Sequence, residues 1–84
     1  MAQFVFTANR NIQDSHSNLD LGRVKQHDSR IINIGFDGVT STNLFSQNRF
    51  RDVLARQLNK EFGVEIFTKE NIQQYGTSFR IKPL

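Results

Sequence analysis

Hydrophobic and polar positions along this chain follow two different periods, and the change between them divides it into elements. In Gln3-Phe4-Val5-Phe6-Thr7-Ala8 the phenylalanines alternate onto one side of an extended backbone, which predicts a strand over 3–8. Residues 9–20 lose any period and are rich in Asn, Asp and Ser, so they read as a long loop. A short second strand fits 21–25. Arg30-Ile31-Ile32-Asn33-Ile34-Gly35-Phe36 is a stronger one, being β-branched and aromatic. Asp37-Gly38 follows directly. That dipeptide tolerates the positive φ of a tight hairpin turn, so 39–42 is expected to return as a short arm.

The period then becomes helical. Phe50, Leu54, Leu58 and Phe62 recur every four residues, with Val53 on the flank, and wind into one slanting apolar stripe. Ser46 or Asn43 is placed to cap the start, and Gly63 stands where a left-handed residue ends a helix. Beyond it, 64–68 alternates like a strand. Thr68 is placed to cap a short helical turn over 69–75, Gly76 closes that turn, and 77–81 reads as a last strand stopped by Pro83. No internal repeat and no linker stand out. The pattern predicts one domain over 1–84 of α+β class, a small, mainly antiparallel sheet with one amphipathic helix packed on it. Its expected core is Phe4, Phe6, Ile32, Ile34, Phe50, Leu54, Leu58, Phe62 and Ile66.

Composition narrows the class. The 84 residues include eight Phe and one Tyr, too many large apolar groups for a solvated chain. There is no Cys, which removes disulfide staples and thiolate zinc sites. No run approaches the roughly 18 apolar residues of a membrane span, so no membrane role is expected. The opening Met-Ala-Gln-Phe lacks the basic and long apolar regions of a signal peptide, which points to the cytoplasm or a particle rather than secretion through a leader. Asn and Gln together number 15, a composition suited to turns and polar contact surfaces.

Charge changes the picture further. Eleven Lys and Arg stand against eight Asp and Glu, a net charge of +3. Arg49, Arg51, Arg56 and Lys60 against Asp52 give residues 49–60 that whole excess. On a helical wheel Arg49, Arg56 and Lys60 fall within about 40° of one another, nearly opposite the apolar stripe, with Arg51 at the stripe edge. These four are the candidate binding residues, for a partner's rim charges or for phosphates, which need only point charges on a rigid element. Phe45, Tyr75 and Phe79, off the core-like periods, are the aromatic side chains left to serve as surface platforms for bases.

Catalytic and metal motifs are missing. His16 and His27, with Asp14, Asp20 and Asp28 nearby, match no metal-ligand spacing. There is no nucleophile elbow, P-loop or dinucleotide glycine pattern, and a domain this thin has little volume for a pocket. No enzyme, cofactor, metal or small-molecule substrate is expected. What remains is a protein–protein interaction or assembly module, self-association included. The alternatives are a small basic nucleic-acid-binding protein using the helix face, and an inhibitor of a host protein using the same surfaces.

Two stretches carry a resemblance. Phe6-Thr7-Ala8-Asn9-Arg10-Asn11-Ile12, then His16 and a charged stretch to Asp28-Ser29-Arg30, resembles the start of small tail-associated structural proteins of tailed bacteriophages. The run Phe50, Leu54, Leu58, then Glu65-Ile66-Phe67-Thr68 and Tyr75-Gly76-Thr77, is similar to their closing portion. The resemblance implies a virion tail or head–tail component with no catalytic residues, working by repeated contact with neighbouring proteins.

Overall fold

The computed structural model describes residues 2–13 and 22–84. Its elements are β1 (Ala2–Ala8), β2 (Ile12–Gln13), β3 (Arg23–Val24), β4 (Ser29–Ile34), α1 (Asn48–Phe62), a 3-10 helix over Ile72–Ser78, and β5 (Phe79–Pro83). Strands β4, β1 and β5 form a three-stranded antiparallel sheet in that order, and β2 pairs with β3 beside it. This is the small α+β arrangement expected. The loop expected over 9–20 already pairs at Ile12–Gln13; Asp14, His16 and Asp20 lie outside the described residues.

The alternation in β1 decides which face is covered. Phe4, Phe6 and Ala8 are buried beneath α1, together with Ile32 and Ile34 of β4 and Phe79 of β5. Gln3, Val5 and Thr7 point the other way. From the helix come Phe50, Leu54, Ala55 and Leu58. Eight of the nine expected core residues are buried; Phe62 is half-buried and packs against the rest. Phe79, expected as a free surface ring, is instead a hub. Its ring centroid lies 5.4 Å from Phe6, 5.8 Å from Phe62 and 5.9 Å from Phe67. Such ring pairs add about 0.5–1.5 kcal/mol beyond the area they bury. Phe45 and Tyr75 are half-buried too, the first over Gly76 and the second edge-on to Phe67 at 5.1 Å. Sequence periodicity misses these rings because Phe45 lies in a turn, Tyr75 in a 3-10 helix and Phe79 at the first position of a short edge strand, none of which spans enough residues to show a period.

The hairpin expected at Asp37-Gly38 does not form. The chain turns there, with Gly38 at φ +75°, but 39–42 makes no return strand, and β4 takes β1 as its partner. The reason lies just beyond. The Thr40 N–H donates to Asn43 Oδ1 (2.7 Å), the Asn43 N–H donates to Thr40 Oγ1 (3.1 Å), and Asn43 Nδ2 donates to the Gly38 carbonyl (2.9 Å). This local network curls the backbone and delivers Leu44, fully buried, to the core.

The same network occurs a second time. Thr68 N–H donates to Asn71 Oδ1 (2.7 Å), Asn71 N–H to Thr68 Oγ1 (3.1 Å), and Asn71 Nδ2 to the Ile66 carbonyl (2.9 Å). Here it delivers the fully buried Ile72. Both turns read Thr-x-x-Asn-apolar, so the chain does carry a short internal repeat, two copies of one turn. Gln73 Nε2 joins them by donating to the Phe45 carbonyl (2.9 Å). Thr68 thus starts a turn as expected, but that turn leads into the 3-10 helix at Ile72–Ser78 instead of continuing over 69–75.

Two further expectations are corrected. Neither Ser46 nor Asn43 caps α1: its N-cap is Gln47, without a side-chain bond, because Asn43 is committed to Thr40. The C-cap is as expected, with Gly63 at φ +67°. Residues 64–68 form no strand and pair with none. The Asn59 side chain takes the main-chain groups of Phe67, and Val64, Ile66 and Phe67 are all buried, which breaks the alternation.

Candidate interaction surfaces

The four basic residues singled out on the helix are placed quite differently from one another. Arg49 is exposed but lies over two rings, 5.3 Å from the Phe36 centroid and 5.0 Å from that of Phe50. Arg51 turns inward. Its Nη1 donates to the Phe45 carbonyl (3.2 Å) and its Nη2 to Asn48 Oδ1, while its Nε is buried with no hydrogen-bond partner. Arg56 pairs with Asp52 one helical turn away at 2.8 Å. Lys60 is exposed in the last turn, where its charge suits the helix dipole. The inward set of Arg51 was legible: at 100° per residue its angle falls between those of Leu58 and Phe62.

Arg30, outside the candidate set, completes the helix end. It donates from Nε to the Glu61 carbonyl (3.2 Å), rests 5.4 Å from the Phe62 ring centroid, and donates from Nη1 to its neighbour's carbonyl at Ser29 (2.7 Å).

The second surface is the sheet face turned away from α1. The strand register sets out its rows. Asn33 lies beside Gln3; Ile31, Val5 and Lys82 form the middle row; Ser29, Thr7 and Arg80 form the last. The Thr7 and Ser29 hydroxyls are hydrogen-bonded at 2.7 Å. No carboxylate stands in these rows. Nor does any aromatic ring, because each phenylalanine of the sheet points to the helix side. Ile31 is 51% exposed and Leu84, just past β5, is 68% exposed; among the described residues they are the exposed large hydrophobic side chains.

His27 stands at one end of this face. Its φ is +77°, and it forms a bulge opposite Ala8: the His27 N–H donates to the Ala8 carbonyl (2.8 Å), and the Ala8 N–H donates to the Asp28 carbonyl (2.9 Å). With Thr7, Asn9, Gln26 and Arg80 it lines a shallow polar depression of about 120 Å³. Among the described residues no group of three or more His, Cys, Asp or Glu could hold a metal. No described helix is long and apolar enough to cross a membrane.

The sheet's two edges differ. Main-chain bonds at Ala8–Asp28, Asn9–Ser78 and Gln3–Leu84 fix the alternation on each side of β1. Carried through the register, this leaves Ser29, Ile31 and Asn33 of β4 with main-chain groups directed away from the sheet. On β5 the corresponding residues are Phe79, Ile81 and Pro83. Proline has no N–H to offer, and Arg80 and Lys82 flank that edge, so β5 is guarded. The β4 edge has no proline, and among the described residues its one covering group is the Arg30 guanidinium, which donates to the outward Ser29 carbonyl and leaves the main-chain groups of Ile31 and Asn33 open.

Comparison with known protein families, with characterised proteins and with solved structures finds no match to this chain.

Proposed function

We propose that this chain is a small, non-enzymatic interaction and assembly module that works by protein–protein contact through the open sheet face and the β4 edge. One observation carries the reading: the sheet face with Val5 and Ile31 at its centre continues into a proline-free strand edge where the main-chain groups of Ile31 and Asn33 point outward. Exposed apolar groups beside unpaired main-chain donors and acceptors are what strand-adding partners use. The resemblance to small tail-associated phage proteins supplies a setting, a virion part that completes itself against neighbours. Inhibition of a host protein would use the same surfaces.

The nucleic-acid reading has less support. Arg51 is spent inside the fold, Arg56 on Asp52, and Arg49 on two rings, which leaves Lys60 as the helix's unpaired cation. The open face offers Arg80 and Lys82 but no ring on which a base could stack.

Two measurements test the proposal. Fluorescence anisotropy with a labelled duplex and a labelled single strand, at low and at physiological salt, is expected to show no binding. Tight binding whose log affinity falls steeply with log salt, and which weakens on Lys60→Ala or Arg80→Ala, overturns the proposal in favour of phosphate recognition. Capture of partners by the tagged protein is expected to be lost in Val5→Glu, whose change lies on the open face; capture unaffected by Val5→Glu counts against that face.

A further inference from the structure

Resting on the interaction reading above, we infer that the β4 edge is occupied by a second copy of this chain. β4 lies antiparallel to its counterpart about a two-fold axis at Ile31, joining two three-stranded sheets into one of six strands. The argument begins with which residues face outward. Ser29, Ile31 and Asn33 present their main-chain groups to the edge, and their side chains lie on the open face. This triplet is polar, apolar, polar, so it is its own complement when reversed about the middle residue. In that register Ile31 exchanges both main-chain bonds with Ile31 of the second copy. The Ser29 N–H of each copy donates to the Asn33 carbonyl of the other, and the Ser29 carbonyl, which already accepts from Arg30 Nη1 of its own chain at 2.7 Å, takes the Asn33 N–H of the other copy on its second lone pair. The two half-exposed Ile31 side chains meet at the axis and cover each other, while serine faces asparagine on either side.

Charge favours this occupant over an acidic or basic one. Arg30 is the charged residue of β4, and in this register it stands opposite Ile32, not opposite its own copy. Its guanidinium is already held by the Glu61 and Ser29 carbonyls and by the Phe62 ring. The open-face cations Arg80 and Lys82 lie on β5, the far strand. Five strand spacings separate the two β5 strands of such a dimer, about 24 Å, roughly three Debye lengths at physiological salt. An edge with no free charge selects another edge with none, and a second β4 is one. Isologous pairing of this kind closes on itself as a dimer and leaves the guarded β5 edges outermost. A single strand pair buries less than the roughly 1,200 Å² of a standard stable interface, so the dimer belongs to the weak, reversible class.

The test is sedimentation velocity of the intact protein over about a hundredfold concentration range reaching about 1 mM, with amide exchange at both ends of that range. The expected result is a concentration-dependent shift from monomer to dimer, with the Ile31 and Asn33 amides gaining protection in the dimer. The amides of Ile32 and Ile34 face β1, so they are protected at every concentration. Ile31→Lys places a charge at the axis and is expected to hold the protein monomeric with its thermal unfolding unchanged. Ile31→Pro removes an outward donor and no ladder bond; should it fail to fold, Ile31→Lys decides. A wild type that is monomeric throughout, or a dimer that persists in Ile31→Lys or leaves the Ile31 and Asn33 amides unmoved, overturns the second-copy assignment. None of these results alters duplex binding or capture by Val5→Glu, on which the broader interaction reading stands or falls.

Discussion

Asn59 satisfies both main-chain groups of Phe67: its Nδ2 donates to the Phe67 carbonyl at 2.8 Å, and its Oδ1 accepts from the Phe67 N–H at 2.9 Å. The side chain on α1 thus does for Phe67 what a neighbouring strand would do, and it fixes the segment after Gly63 against the helix that precedes it. Phe67 is buried, so removing the amide leaves two main-chain groups without partners. Asn59→Ala is expected to cost about 2–4 kcal/mol, from two groups at roughly 1–3 kcal/mol each with partial relaxation. Asn59→Asp keeps the acceptor, places a carboxylate against the Phe67 carbonyl, and is expected to cost a similar amount near neutral pH. Urea unfolding followed by circular dichroism measures both; a loss under about 0.5 kcal/mol for Asn59→Ala would show that the segment is held elsewhere.

The two Thr-x-x-Asn turns give a paired prediction. In each, the asparagine accepts from a threonine N–H and donates to a carbonyl five residues back. Alanine at Asn43 or Asn71 removes both bonds; aspartate removes the donor alone. Alanine is therefore expected to be the more damaging at each position, by about 1–2 kcal/mol against wild type. Asn71→Ala is expected to exceed Asn43→Ala, since the Asn71 bond to Ile66 is partly buried whereas the Asn43 bonds are exposed. Chemical denaturation of the four variants checks the order.

Three of the helix cations, Arg51, Arg56 and Lys60, are expected to separate by their surroundings rather than by their charge. Arg51→Ala removes two hydrogen bonds and a stem packed inside the fold, and is expected to cost about 1–2 kcal/mol. Arg56→Ala and Lys60→Ala act on exposed side chains and are expected to fall within about 0.5 kcal/mol of wild type. Arg51→Lys lacks the planar fork and is expected to recover little. Thermal unfolding reports all four. Equal effects at Arg51 and Arg56 would contradict the inward placement of Arg51.

His27 holds a backbone conformation that side chains with a Cβ rarely adopt. Glycine takes that conformation without penalty, so His27→Gly is expected to stabilise the protein by about 0.5–1 kcal/mol. For a domain of this size that raises Tm by roughly 2–8 °C. A lower Tm would mean that the imidazole makes a stabilising contact at the end of the open face that outweighs the strain.

How far the sequence reaches depends on the range of the interaction involved. The helix from Phe50 to Phe62, its end at Gly63 and the strands around Phe4 and Ile32 follow from periodicity, because burying one face of a regular element imposes its period on the residues. The excess positive charge on α1 is legible in the same way, and so in retrospect is the Thr-x-x-Asn turn, whose bonds all lie within six residues. Asp37-Gly38 shows where local signals stop. They announce a turn, but whether a hairpin forms depends on a competition for β4, which β1 wins with a longer strand and a facing set of phenylalanines. Phe79 was unreadable for a related reason: its ring partners lie 12, 17 and 73 positions away in the chain. The candidate site shows the limit most clearly. Sequence gives the charges of Arg49, Arg51, Arg56 and Lys60, and only the folded chain decides which of them are already partnered. Strand order, likewise, is a property of the assembled sheet. It alone puts β4 and β5 at the edges, with a proline in the outward row of β5 and none in that of β4.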